Sequence, residues 1–111
     1  MFVEVDLGAA PVAVGLAEPG DCTRFHVAVV RGDADTDADA GMLDRALRAS
    51  ATGSIDGDGE AVVRVDAVRR MAAGAVGESW EADFSAMLDY AASKGWLTED
   101  RTAIRAHVEW E

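Results

Sequence analysis

Apolar and polar positions alternate most regularly between Ser79 and Glu111. Trp80, Phe84, Met87, Leu88 and Ala91 recur at three- and four-residue steps, with Glu81, Ser85, Asp89 and Ser93 opposite, which is the period of an amphipathic helix. Ser79 is placed to cap the first turn, and Glu81 and Asp83 lie where the helix dipole favours negative charge. Lys94 suits the other end, Gly95 reads as the left-handed residue that stops the helix, and Trp96 is placed to fold back on the last turn. After a polar turn, Ile104, Ala106, Val108 and Trp110 alternate with Arg105, His107, Glu109 and Glu111, the two-residue period of a half-buried strand.

The same periods run through the N-terminal part. Val3, Val5 and Leu7 alternate with Phe2, Glu4 and Asp6 in a first strand, and Val12 to Ala17 forms a second. Glu18-Pro19-Gly20-Asp21 has the composition of a type II turn. In Thr23 to Arg31, Phe25, Val27 and Val29 share one side and Arg24, His26, Ala28 and Val30 the other. Leu43, Ala46, Leu47 and Ser50 mark a helix that Gly53 ends, with Asp44 and Arg48 paired four apart on its outer side. Ile55 to Gly59 reads as a turn, Ala61 to Val65 as a strand, and Asp66 as the cap of a short helix burying Val68, Met71 and Ala72 before Gly74. These elements predict a single α+β domain over residues 1–111, with a mainly antiparallel sheet of four or five strands, three helices packed on one face, and Trp80, Trp96 and Trp110 in or beside the core.

Composition narrows the function. The 21 acids outnumber nine arginines and one lysine, and a net charge of −11 repels phosphate backbones, so no nucleic-acid partner is expected. The order helix, helix, strand at the C-terminal end imitates a winged helix, but Glu81, Asp83 and Asp89 would push its second helix away from DNA. No apolar run approaches the roughly 20 residues that cross a bilayer, and the N-terminus lacks a signal pattern, which points to the cytoplasm without a membrane partner. Cys22 stands alone, excluding an intrachain disulfide and a thiolate zinc cluster.

Two acidic runs imitate calcium loops and fail in detail. In Asp33, Asp35, Asp37, Asp39 and Asp44, Ala38 occupies the required glycine position and Asp44 the place of a bidentate glutamate. In Asp56, Asp58 and Glu60 the glycine position is Ala61. Neither predicts a metal site.

The strand alternations carry the one constellation with chemical content. With the helices on one side of the sheet, Glu4, Asp6, Arg24, His26, Arg64, Arg105, His107 and Glu109 project from the other. The plain reading is a ladder of exposed charge pairs. A ligand-binding reading seats a small anion among Arg24, Arg64 and Arg105, with His26, His107 and Glu109 beside them, since guanidinium forks suit carboxylate and phosphate. Two histidines and a carboxylate also suit a divalent metal, although no ligand spacing is defined across strands, so no cofactor or metal is assigned. A histidine base oriented by Glu4 or Glu109 can be drawn, but no nucleophile elbow or phosphate-cradling loop accompanies it, and no residue is assigned as catalytic.

The string Trp80-x-x-Asp83-Phe84-x-x-Met87-Leu88-x-Tyr90-Ala91-x-x-Lys94-Gly95-Trp96, followed by Ile104-Arg105-Ala106-His107-Val108-Glu109-Trp110, resembles short actinobacterial proteins of unknown function. The resemblance covers about a third of the chain and implies an origin, with no activity, cofactor or site residue attached. The leading expectation is a non-catalytic interaction domain, homodimeric or paired with another protein through its open sheet face or a strand edge. The alternative is an enzyme or binding module using the Arg and His face. An acidic surface that mimics nucleic acid is a third.

Overall fold

Period-two segments at the start, middle and end of the chain assemble into one six-stranded sheet in the computed structural model, which describes residues 1–9, 12–22, 24–30, 40–57 and 59–110. The element order is β1 (Phe2–Asp6), β2 (Ala13–Ala17), β3 (His26–Val30), α1 (Ala40–Ala49), β4 (Gly53–Ile55), β5 (Ala61–Arg64), α2 (Val65–Ala72), α3 (Trp80–Ser93) and β6 (Ala103–Trp110). Strand order across the sheet is β2-β1-β3-β6-β5-β4. The α+β class and the three helices match expectation, whereas the sheet is larger and mixed. β1 and β3, and β3 and β6, pair parallel, while β1–β2, β4–β5 and β5–β6 are antiparallel. A parallel strand with one wet face carries the same alternation as an antiparallel one, so the pattern does not distinguish them.

Register sorts the side chains by face. Val3 pairs with Val27 and Val27 with Val108, while on β5 and β6 Val63 pairs with Ile104 and Ala61 with Ala106. These residues share one apolar cluster with Leu43 and Leu47 of α1, Val68 and Ala72 of α2, and Trp80, Phe84, Met87, Leu88 and Ala91 of α3. The neighbouring parity carries Glu4, Arg64, Arg105, His107 and Glu109, all exposed, and half-buried Phe2 and His26.

α3 buries the five residues its period predicts. It ends on a Schellman motif: Gly95 has φ 77°, its N–H donates to Ala92 O at 3.2 Å, and Trp96 N–H donates to Ala91 O at 2.9 Å. Its start differs from expectation, because Ser79 has helical dihedrals and makes no side-chain cap. Asp66 likewise lies in the first turn of α2, after Arg64 at the cap position, and forms a two-pronged pair with Arg64 at 3.0 and 2.9 Å. The Glu18–Asp21 turn closes with a 3.0 Å bond, but the positive φ belongs to Glu18 rather than Gly20, so it is not type II. Trp80 is buried and Trp110 half-buried, whereas Trp96 lies outside the core, 46 % exposed.

Gly53 does not stop α1. The helix closes earlier, through Ala51 N–H to Arg48 O at 3.1 Å and Thr52 N–H to Leu47 O at 2.9 Å, leaving Gly53 free to open β4. Ala51 takes the left-handed position with φ 56°. A Cβ there costs about 1–2 kcal/mol, part of which a glycine returns as unfolded-chain entropy. Ala51→Gly is therefore expected to stabilise the fold by about 0.5–1 kcal/mol, read as a higher urea midpoint at unchanged slope. A lower midpoint would refute the capping role. The expected Asp44–Arg48 pair forms at 2.8 Å, and Asp44 also accepts Ile55 N–H at 2.8 Å, joining α1 to β4. These two donors, the backbone N–H first, hold the Asp44 carboxyl below its ordinary value. The acidic run Asp33 to Asp39, and Asp58, lie outside the described residues.

Candidate functional site

β6 is eight residues long but β3 covers only its C-terminal half, from His107 to Trp110. On that same edge, the N-terminal half takes its partner from the chain leaving α3. Thr98 N–H donates to Ala103 O at 2.9 Å, Arg105 N–H donates to Trp96 O at 2.6 Å, and Leu97 bridges Ile104. Between the two partners the sheet edge is notched. The notch opens a groove of about 490 Å³, with Met87, Ala91 and Ile104 among its apolar lining, Arg24 and Phe25 leading into β3 on one side, and Tyr90 and Trp96 on the other.

Five of the six predicted site residues line this groove: Arg24, His26, Arg105, His107 and Glu109. The parallel register makes His26 and His107 direct cross-strand neighbours. Glu109, on the same face as His107, brings its carboxylate to 3.5 Å from His26 Nε2. The His26 ring stacks on Phe2, centroids 4.9 Å apart and planes 17° from parallel. Arg105 and His107 are exposed, so their charge is available at the rim. Two guanidinium groups against one carboxylate leave the groove positive in a chain of net charge −11, and each imidazole adds to that only when protonated.

Arg64, the sixth, does not join them. β5 pairs it with Ala103, and Asp66 occupies its fork, which raises the affinity of the guanidinium for its proton and lowers that of the carboxyl. An anion shared by Arg24, Arg64 and Arg105 is therefore not what this register assembles. Glu4 is also displaced, since Ala28 lies between it and Glu109 in the cross-strand row.

Sequence reasoning missed the aromatic half of the site. Tyr90 and Trp96 are 56 % and 46 % exposed and meet edge to face with centroids 6.0 Å apart. Lys94 lies over the Tyr90 ring at 5.6 Å, a cation–π contact that adds positive charge to this rim. The available signal was an aromatic off the buried stripe of α3, and a tryptophan immediately after the helix-ending glycine in an otherwise polar turn.

A second hollow, about 530 Å³, adjoins the first and shares Met87 and Tyr90 with it. Asp83 and Ala86 of α3 form one side, and Gly20, Asp21 and Cys22 the other. Trp80 fixes the separation of these walls, because its indole N–H donates to Pro19 O at 2.6 Å while its ring packs in the core. Partial burial and the nearby Asp83 carboxylate push the Cys22 thiol above its ordinary pKa, which suits it poorly as a nucleophile. Among the described residues no three His, Cys, Asp or Glu side chains are placed to hold a metal ion, and no helix is long and apolar enough to cross a membrane. No family model, curated protein or solved structure matches this chain.

Proposed function

We propose that this protein is a cytoplasmic, non-catalytic binding module that takes a small organic anion in the groove between α3 and β6. The observation that carries the reading is the convergence of Arg24 and Arg105 with exposed Tyr90 and Trp96 around an apolar floor. Ligand sites combine such a floor with a few convergent polar groups, and exposed aromatics gathered at one hollow are the kind of patch that marks a contact surface. Guanidinium groups would hold a carboxylate by two-pronged bonds while the ring faces take up an apolar body. Phenylacetate is a suitable probe. NMR titration is expected to move Trp96 and Arg105 side-chain signals together, and Arg105→Ala to weaken binding about 10- to 100-fold, the loss of one charge-assisted contact. Unmoved signals at millimolar probe would sink the reading.

Self-association is a second reading, supported by β2. This strand ends the sheet, and its sequence Ala13-Val14-Gly15-Leu16-Ala17 carries neither the charge nor the proline that usually guards an edge. A second copy pairing there would continue the sheet across a two-fold axis. Light scattering across protein concentration is expected to give twice the mass of 11.7 kDa at the upper end, and a constant monomer mass would remove this reading.

A further inference from the structure

The two hollows meet at Met87 and Tyr90 and carry opposite charge at their far ends. Together they form a trough along one flank of α3, whose stripe Asp83, Ala86, Met87 and Tyr90 shares one hollow with Gly20, Asp21 and Cys22 and, through Met87 and Tyr90, the other with Arg24 and Phe25. At one end stand Asp83 and Asp21. At the other stand Arg24 and Arg105, with Glu109 beside them set against His26. Asp21 is in part engaged by the Met1 ammonium, 4.0 Å from its carboxylate, so Asp83 is the acid on which recognition rests. Asp83 is exposed and precedes Tyr90 by two helical turns, a separation of about 10 Å along the axis.

From this trough we infer the class of ligand: a zwitterion of about tripeptide length, its ammonium end at Asp83, its carboxylate at Arg24 and Arg105, and an apolar side chain over Met87 against the paired rings of Tyr90 and Trp96. The inference rests on the anion-site reading above and adds the cationic end. Three extended residues span about 10 Å, enough to run from Asp83 to Tyr90, the residue through which the arginine-bearing hollow joins the first. The charge pattern also discriminates. A simple dianion would meet repulsion at Asp83, and a simple cation at Arg24 and Arg105. The free peptide gains at both ends.

Four probes test it by calorimetry on the full chain: Ala-Phe-Ala, its N-acetyl form, its C-terminal amide, and phenylacetate. The free tripeptide is expected to bind about tenfold more tightly than either blocked form, each having lost one charge-assisted contact. Asp83→Asn is expected to erase the preference over the N-acetyl form while leaving phenylacetate affinity unchanged. Circular dichroism of that variant checks that the fold is intact, as its surface position predicts. If the N-acetyl form binds as tightly as the free peptide, the zwitterion inference is overturned while the anion site stands. If no probe binds, phenylacetate included, both are overturned.

Discussion

Phe84→Ala is expected to destabilise the protein by about 3–5 kcal/mol, a large fraction of the about 5–15 kcal/mol that holds a domain of ordinary stability together. Phe84 is fully buried and the largest such side chain among the described residues. Its ring stacks on Trp80 with centroids 4.7 Å apart and planes 10° from parallel, and the Arg69 guanidinium lies 5.3 Å above it. Removing the ring leaves a void beside Trp80 and Arg69 in the shared core, and a close-packed interior relaxes only partly to fill it. Trp80 also loses the surface that orients it, and with it the bond to Pro19 that holds one wall of the trough. The loss is measurable as a fall in midpoint of about 4–8 °C per kcal/mol on heating. Phe84→Leu, which keeps most of the apolar volume, is the control and should cost less than half as much. A cost below about 1 kcal/mol for the alanine variant would mean that the core is not organised around this ring.

What the chain discloses before folding follows from the range of each signal. The α3–β6 unit is legible because its determinants are local: the buried stripe from Trp80 to Ala91 and Gly95 with Trp96 at the stop are set by neighbours in sequence. β4 is not legible. It has three residues, begins on a glycine and exists through its pairing with Val63, Val62 and Ala61. The parallel pairing of β1, β3 and β6 is hidden for a related reason, since alternation reports which face is wet and says nothing of a partner's direction.

The candidate site divides along the same line. Period-two alternation brought His26, Arg105, His107 and Glu109 to one face, and the register then made neighbours of the two histidines. Arg64 shares that parity and was lost to Asp66, a partner two residues away whose competing bond the alternation could not reveal. Tyr90 and Trp96 joined the site through a notch created by where β3 begins and where the chain after Gly95 pairs with β6. That notch is a property of the assembled sheet.

Gly53→Ala is the sharpest test of that assembly, with an expected cost of about 3 kcal/mol or more. A Cβ at this position would collide with the carbonyl oxygen of Val62 and stand 3.0 Å from Val62 C and 3.1 Å from Val63 Cα. All three atoms are backbone of the adjacent strand, so no rotamer change relieves the contact and the strands must part. Parting β4 from β5 breaks more than their ladder. Thr52, buried beside Gly53, accepts Arg64 N–H at 2.8 Å through its carbonyl and shares a hydroxyl bond with Ser50 at 2.9 Å. The Asp44 bond to Ile55 N–H loosens with it, and α1 loses its tie to the sheet. Gly57→Ala is the internal control, since a Cβ there meets nothing within 4 Å and the change should fall within about 1 kcal/mol of neutral. Hydrogen exchange locates the damage: the Ile55 and Arg64 amides should lose protection in Gly53→Ala, while Trp96, bonded to Ala91 at the far end of the site, keeps it. Equal stability of the two alanine variants would show that β4 does not lie against β5 as closely as this register requires.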